Sequence, residues 1–248
     1  MKKRIFLIFA ALTLVLTSLV SAAPSTTIVE AEHQERNSNV VYLNGQPVNV
    51  NDTIIATPNN QEQLVEKYGL QKPSADAQLV SIRIVHNDSP SSLPNEQSAE
   101  KNNAPMSLLG YRMVKNSPQL VDGWQEIARG KYFCNRPKTQ TCDNIQIDVN
   151  ANQSVTTSIN TSFGVGYDDV ISAEFGVSVG HTVGVATTVK AYAPPIPGGR
   201  TFIAVGYPIY QSTFFTLYKK GIFSDTLLGT GTFLLPQPSS IAVTDWIQ

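Results

Sequence analysis

The sequence predicts a mainly β chain, an elongated antiparallel sheet or a β-sandwich. It carries a long Ser/Thr-rich amphipathic hairpin and is preceded by a small α+β N-terminal region. Three observations lead there. Residues 154–192 alternate apolar and small polar side chains almost without fault. After residue 105, candidate strands crowd together between Gly-, Pro- and Asn-containing turns, and no helical period competes. Asn44-Gly45, set between Val40-Val41-Tyr42-Leu43 and Val48-Asn49-Val50, is the strongest short hairpin signal in the chain.

Residues 1–22 read as a secretory signal peptide. Lys2, Lys3 and Arg4 precede the apolar run Ile5–Leu16, which is too short for an ordinary span, and Ser18–Ala22 supplies a small-residue exit with cleavage expected after Ala22. The expected location is therefore secreted. Loss of those three cations from a total of 18 leaves 15 basic against 19 acidic residues, a net charge of −4. That balance speaks against nucleic acid as a partner and against a polybasic membrane peptide.

Residues 23–37 are polar and read as a loose start. Leu64, Val65 and Tyr68 fall at helical spacing within 60–68 and stop at Gly69, which predicts a short helix. Leu79–His86 reads as a strand. Residues 87–105 lack aromatics and periodicity and read as a linker. They set off 23–86, a small N-terminal region or a pro-segment removed after export, from a β-rich domain over 106–248. One domain with a long surface loop is the alternative. In the second half, strands are expected at 108–114, 124–133, 145–149, the long hairpin, 200–209, 212–219, 226–235 and 241–247.

Two cysteines, Cys134 and Cys142, stand in a C-x7-C spacing. An even count in an exported chain predicts a disulfide, with about 2–3 kcal/mol of stabilisation for so small a loop. A metal site is the alternative, but no histidine or second cysteine pair lies nearby.

The long hairpin is expected to turn at Tyr167-Asp168-Asp169-Val170, with Asp168 and Asp169 at its tip. Between Asn150 and Val189 the only charges are those two and Glu174. Both arms exceed the 9–11 residues a tilted membrane strand needs. Val155, Ile159, Phe163, Val165, Phe175, Val177, Val179 and Val183 would then form a lipid-facing stripe, the Ser/Thr/Gly face a wet lumen, and Tyr167 and Tyr192 an aromatic girdle. One hairpin cannot close a barrel, so this reading requires a homo-oligomer on a target-cell membrane or envelope.

Catalytic patterns are sparse. Gly176-Val177-Ser178-Val179-Gly180 fits G-x-S-x-G, but the expected mid-strand serine lacks the strand-to-helix turn, and no histidine follows His181. Pairing Glu174 with Asp148 as an acid pair rests on composition alone. His33, His86 and His181 form no metal-ligand spacing. The expectation is a non-enzyme without cofactor or metal.

Long Ser/Thr-alternating strands followed by a Pro-Gly corner and another strand (Ser154–Val189, Pro194–Arg200, Thr201–Val205) resemble the aerolysin-type β-pore-forming superfamily over about 50 residues. The resemblance implies a secreted monomer that oligomerises on a target surface and builds a β-barrel pore. That superfamily also carries a separate insertion hairpin between its long strands, for which no further segment is assigned here. A large bacteriocin-like antibacterial suits the same exported context. The alternative is a secreted, non-catalytic β-sandwich that binds or supports the cell envelope, with the odd-numbered residues in its core.

Overall fold

The computed structural model describes residues 39–86, 110–164 and 166–248. The expected signal peptide 1–22, the stretch 23–37, the linker 87–105 and Val165 lie outside the described residues. The described residues all fall within one compact unit.

The first part contains β1 (Val40–Leu43), β2 (Gln46–Asn49), β3 (Thr53–Ile55), α1 (Gln61–Lys67) and β4 (Gln78–His86). After the undescribed stretch come β5 (Tyr111–Lys115), β6 (Gln119–Asp122), β7 (Ala128–Phe133), β8 (Thr141–Cys142), β9 (Gln146–Thr156) and β10 (Ser158–Thr161). The chain ends with α2 (Asp168–Phe175), β11 (Thr182–Tyr192), β12 (Ile196–Pro197), β13 (Thr201–Lys219) and β14 (Thr226–Ile247). The fold is mainly β, as the sequence predicts.

The Asn44-Gly45 hairpin forms with both turn residues at positive φ, 47° and 74°, as a two-residue primed turn requires. The Asn44 backbone N–H donates to Asp122 Oδ1 at 3.1 Å, tying the turn to β6. The predicted helix is α1, closed by Gly69 at φ +60°.

β13 and β14 are the spine of a ten-stranded sheet ordered β2-β1-β6-β13-β14-β4-β3, to which β5, β7 and β10 also pair. All pairs are antiparallel except β1 with β6. The sequence reading split each spine strand in two. Instead each runs unbroken, with a register shift between Pro208 and Tyr210 at the expected gap. The irregularity lets Pro236 and Pro238, which have no N–H to give, sit within a strand.

Residues 40–86 are not a separate layer. β4 hydrogen-bonds along β14 from Ser240 to Ile247, and β1 pairs with β6. A chain lacking 40–86 would leave the β14 edge open and uncover Trp246, which is fully buried beside Leu79, Ile82 and Ile84.

The lower half of the spine is buried on both faces. Phe202 and Ala204 point into one cluster with Val149, Val185 and Val189; Ile203, Val205 and Tyr207 point into the other, under α1 and the first hairpin. The upper half is covered on one face by a smaller cluster around Ile171, Phe215 and Phe233. Cys134 and Cys142 form the expected disulfide, both buried, beside the short β8–β12 ladder. Gly198 belongs there because a Cβ would strike the backbone oxygens of Arg136 and Pro137.

Candidate functional site

The long alternating segment folds into two parts. β9 and β11 pair along their whole length, from Thr182↔Thr156 to Tyr192↔Gln146. Among the described residues, neither strand has another strand partner. Apart from Arg83 Nη1, which donates to the Lys190 carbonyl at 2.9 Å, the outer edges of this ribbon are open among the described residues. Its odd-numbered face packs on the main sheet through Val149, Ala151, Val155, Val185 and Val189, while Asn150, Asn152, Ser154, Thr182, Ala186 and Thr188 meet water.

One more rung closes the top of the ribbon. Thr157 N–H donates to the His181 carbonyl at 2.8 Å, and Gly180 N–H donates to the Thr157 carbonyl at 3.1 Å. Beyond it the two arms separate. β10 leaves to pair with β14, from Ser158↔Leu234 to Thr161↔Gly231. α2 then lies over the upper spine, and the chain returns through Val177 and Val179.

Each expected stripe residue except Val165 can now be placed. Val155 and Val183 face each other in the ribbon. Ile159, Phe163, Phe175, Val177 and Val179 gather on the small cluster around Phe215 and Phe233. They do not form one continuous stripe with the ribbon. In this structure Asp168 and Asp169 stand in the exposed first turn of α2 rather than at a hairpin tip.

The sequence contains the reason. Two acidic residues favour the positive end of a helix, Ile171 and Phe175 are four apart on one helical face, and Gly176 takes φ +70° as a left-handed stop. Over so few residues, Ile171, Ala173 and Phe175 satisfy a period of two and Ile171 and Phe175 a helical turn; exposure of Ala173 beside a buried Ile171 decides it.

The 157–181 segment is held by few contacts. Phe175 stacks on Phe233 at 4.2 Å between centroids, and Phe163 and Phe175 meet Phe215 edge-on. Lys115 Nζ donates to the Glu174 carbonyl at 2.6 Å and lies 4.8 Å from the Phe175 ring centre. Thr157 Oγ1 donates to the Ser178 carbonyl at 2.8 Å, and Val179 N–H donates to Ser172 Oγ at 2.9 Å. Only Ile171, Phe215 and Phe233 are fully buried in this cluster, at about 1.5–3 kcal/mol each, so it is held by less apolar burial than either of the two larger clusters.

Ser178 does not sit in a strand; it lies in the return path after α2, its carbonyl taken by Thr157. Among the described residues no group of three or more His, Cys, Asp or Glu could hold a metal ion. Among them, too, no helix is long and apolar enough to cross a membrane, which leaves the strands unaddressed.

Under the ribbon lies a buried ion pair. Arg83 Nη2 is 3.6 Å from Asp245 Oδ2, which also accepts from Ser81 Oγ at 2.7 Å. Burial pushes the Asp245 carboxyl up, against the lowering pull of Arg83 and Ser81. The folded state therefore holds this proton more tightly than the unfolded chain. Its stabilising contribution is full below the ordinary carboxylate range and is lost as pH rises through the raised folded value. Asp245→Asn is expected to flatten the dependence of Tm on pH across that window, measured by calorimetry from acid to neutral; an unchanged slope would exclude this group as its source.

No protein-family model matches the chain, and no curated protein matches it significantly. Among solved structures it is similar to a protein from Bacteroides vulgatus ATCC 8482 described as a putative pore-forming toxin, at 8% identity with a TM-score of 0.23. The match covers 56% of this chain and 55% of that one, so the chain spans about half the length of that neighbour. A likeness of that size bears no argument.

Proposed function

We propose that the protein is a secreted, non-enzymatic, membrane-active protein, a pore-forming toxin or bacteriocin-like antibacterial, that assembles with copies of itself and inserts β-hairpins into a target membrane. The register of the β9–β11 ribbon carries this reading. Extended past its last rung without a slip, the same register would pair Ile159 with Val179, Thr161 with Val177, Phe163 with Phe175 and Tyr167 with Ile171, and would close at Asp168-Asp169-Val170. Every apolar stripe residue then falls on one side, and Ser158, Asn160, Ser162, Glu174, Ser178 and the glycines fall on the other.

The extension adds about 11 residues to each arm, the length of a tilted membrane strand. The 157–181 segment is thus held in reserve for the part of the hairpin that crosses the membrane. Its glycines suit both states: Gly176 and Gly180 hold positive φ in the folded segment, at 70° and 79°, and glycine enters a strand as readily. The open ribbon edges supply backbone donors and acceptors for neighbouring copies, so that a closed barrel leaves none unpaired in lipid. Secretion rests on the pattern of residues 1–22 and agrees with the disulfide.

Purified mature protein is expected to release dye from liposomes or susceptible cells as sodium dodecyl sulfate-resistant oligomers accumulate. Binding to glycan or cell wall with no dye lost at any concentration would leave the envelope-binding module as the better account.

A further inference from the structure

The loop that closes the β13–β14 hairpin is out of keeping with the rest of the surface. Ile222 is 94% exposed and Phe223 99%, side by side at the end of the longest hairpin in the fold. Leu227, at the start of β14 beside the tip, is also exposed. Single exposed apolar side chains are ordinary, but two adjacent large ones at a free tip call for a partner. Neither belongs to any buried cluster of the described residues, so they add nothing to the packing.

The surroundings indicate what the partner is. Lys219 and Lys220 lead directly into the tip. Tyr111 pairs with Lys219 across the β5–β13 ladder, Arg112 lies 4.3 Å from the Tyr218 ring centre, and Tyr111 meets Tyr167 edge-on. Arg112 Nε also donates to Asp225 Oδ2 at 2.6 Å, which braces the base of the loop. From the tip inward the order is therefore apolar, then cationic and aromatic. Bilayers sort side chains in that order, with apolar groups among the acyl chains and Tyr, Lys and Arg at the headgroups.

We infer that Ile222-Phe223 is a lipid-docking tip that seats this end of the protein in the bilayer interface before any strand crosses. The partner is the lipid surface itself, with anionic headgroups favoured by Lys219 and Lys220. The same end carries the reserve segment: Ser162 bonds to Thr230, and a Cβ on Gly229 would meet Phe163. A docked tip thus holds residues 157–181 close to the membrane. That last consequence rests on the proposed hairpin insertion; docking does not.

The test is co-sedimentation of the purified mature chain with phosphatidylcholine vesicles, with and without phosphatidylglycerol. Ile222→Ser with Phe223→Ser is expected to weaken vesicle binding by about tenfold or more at unchanged Tm, since both side chains already face water. Phe133→Ser, an exposed aromatic paired with Thr201 at the opposite end of β13, is expected to bind as before. Phe223→Trp is expected to keep binding and to shift its fluorescence to the blue when vesicles are added. Undiminished binding of the double serine variant, or an indole that stays in water, overturns the inference. So does a double serine variant that binds vesicles but no longer self-associates, because the tip would then meet a second copy. If the wild type docks through the tip yet never releases dye, docking stands and the pore reading alone fails.

Discussion

Cysteines placed at Asn160 and Thr232 are expected to reduce dye release to the level of vesicles without protein, and reduction is expected to restore it. The two positions face each other in the β10–β14 ladder, where opposed residues lie within disulfide reach. Asn160 is exposed and Thr232 half-buried, so neither substitution empties the core. The native Cys134–Cys142 bridge is buried on both sides, which shields it from a mild reductant. The bond would fasten the reserve segment to the spine and forbid zipping above the Thr157–His181 rung. It leaves the ribbon, its open edges and the 220–225 loop untouched, so the locked protein should still dock on vesicles. Release by the cross-linked form at the wild-type rate would mean that residues 157–181 need not leave β14, and the proposed mechanism would be wrong.

The sequence and the structure agree where a local signal and the tertiary partner ask for the same thing. Asn44-Gly45 demands a primed turn and has one; Leu64, Val65 and Tyr68 find the underside of the sheet; the odd-numbered valines of the ribbon find a core. Disagreement begins where two periods fit the same residues. Between Asp168 and Phe175 the alternation competes with the helix signals, an acidic first turn and Gly176, and packing of Ile171 on Phe215 and Phe233 with Ala173 left in water settles the helix. β6 escaped notice because Gln119-Leu120-Val121-Asp122 is too short to show a pattern and is a strand only through its pairing with β1 and β13. Ile222-Phe223 was illegible for a different reason. Apolar residues read as core from sequence, and only coordinates reveal two of them in water. Yet the tip expected at Asp168-Asp169 would be the closing turn of the proposed extended ladder. A segment that satisfies a helix in one packing and an amphipathic strand in another has the character of a two-state element.

Ala173 separates those two states better than any stripe residue. Ile159, Phe175, Val177 and Val179 are at least half-buried now and would face lipid later, so substituting them disturbs both forms. Ala173 is exposed on α2, but its odd number sets it on the lipid side of the extended ladder, opposite Val165. Ala173→Arg is therefore expected to leave Tm and solubility unchanged, because arginine is a good helix former and suits the C-terminal half of a helix. The same change is expected to suppress dye release strongly. A cation on the lipid face costs about 2–4 kcal/mol at the bilayer midplane, less toward the interface, and every copy in a ring incurs it. Glu174 provides the matched comparison: it is charged in the natural chain and would point to the lumen, so Glu174→Gln should release dye much as the wild type does. A helix that persisted on insertion would give another pattern, with Ala173→Arg harmless as a solvent-facing change and Ile171 variants most damaging. Dye release by Ala173→Arg, Glu174→Gln and wild type at matched oligomer yield therefore reads the conformation of residues 168–175 in the membrane.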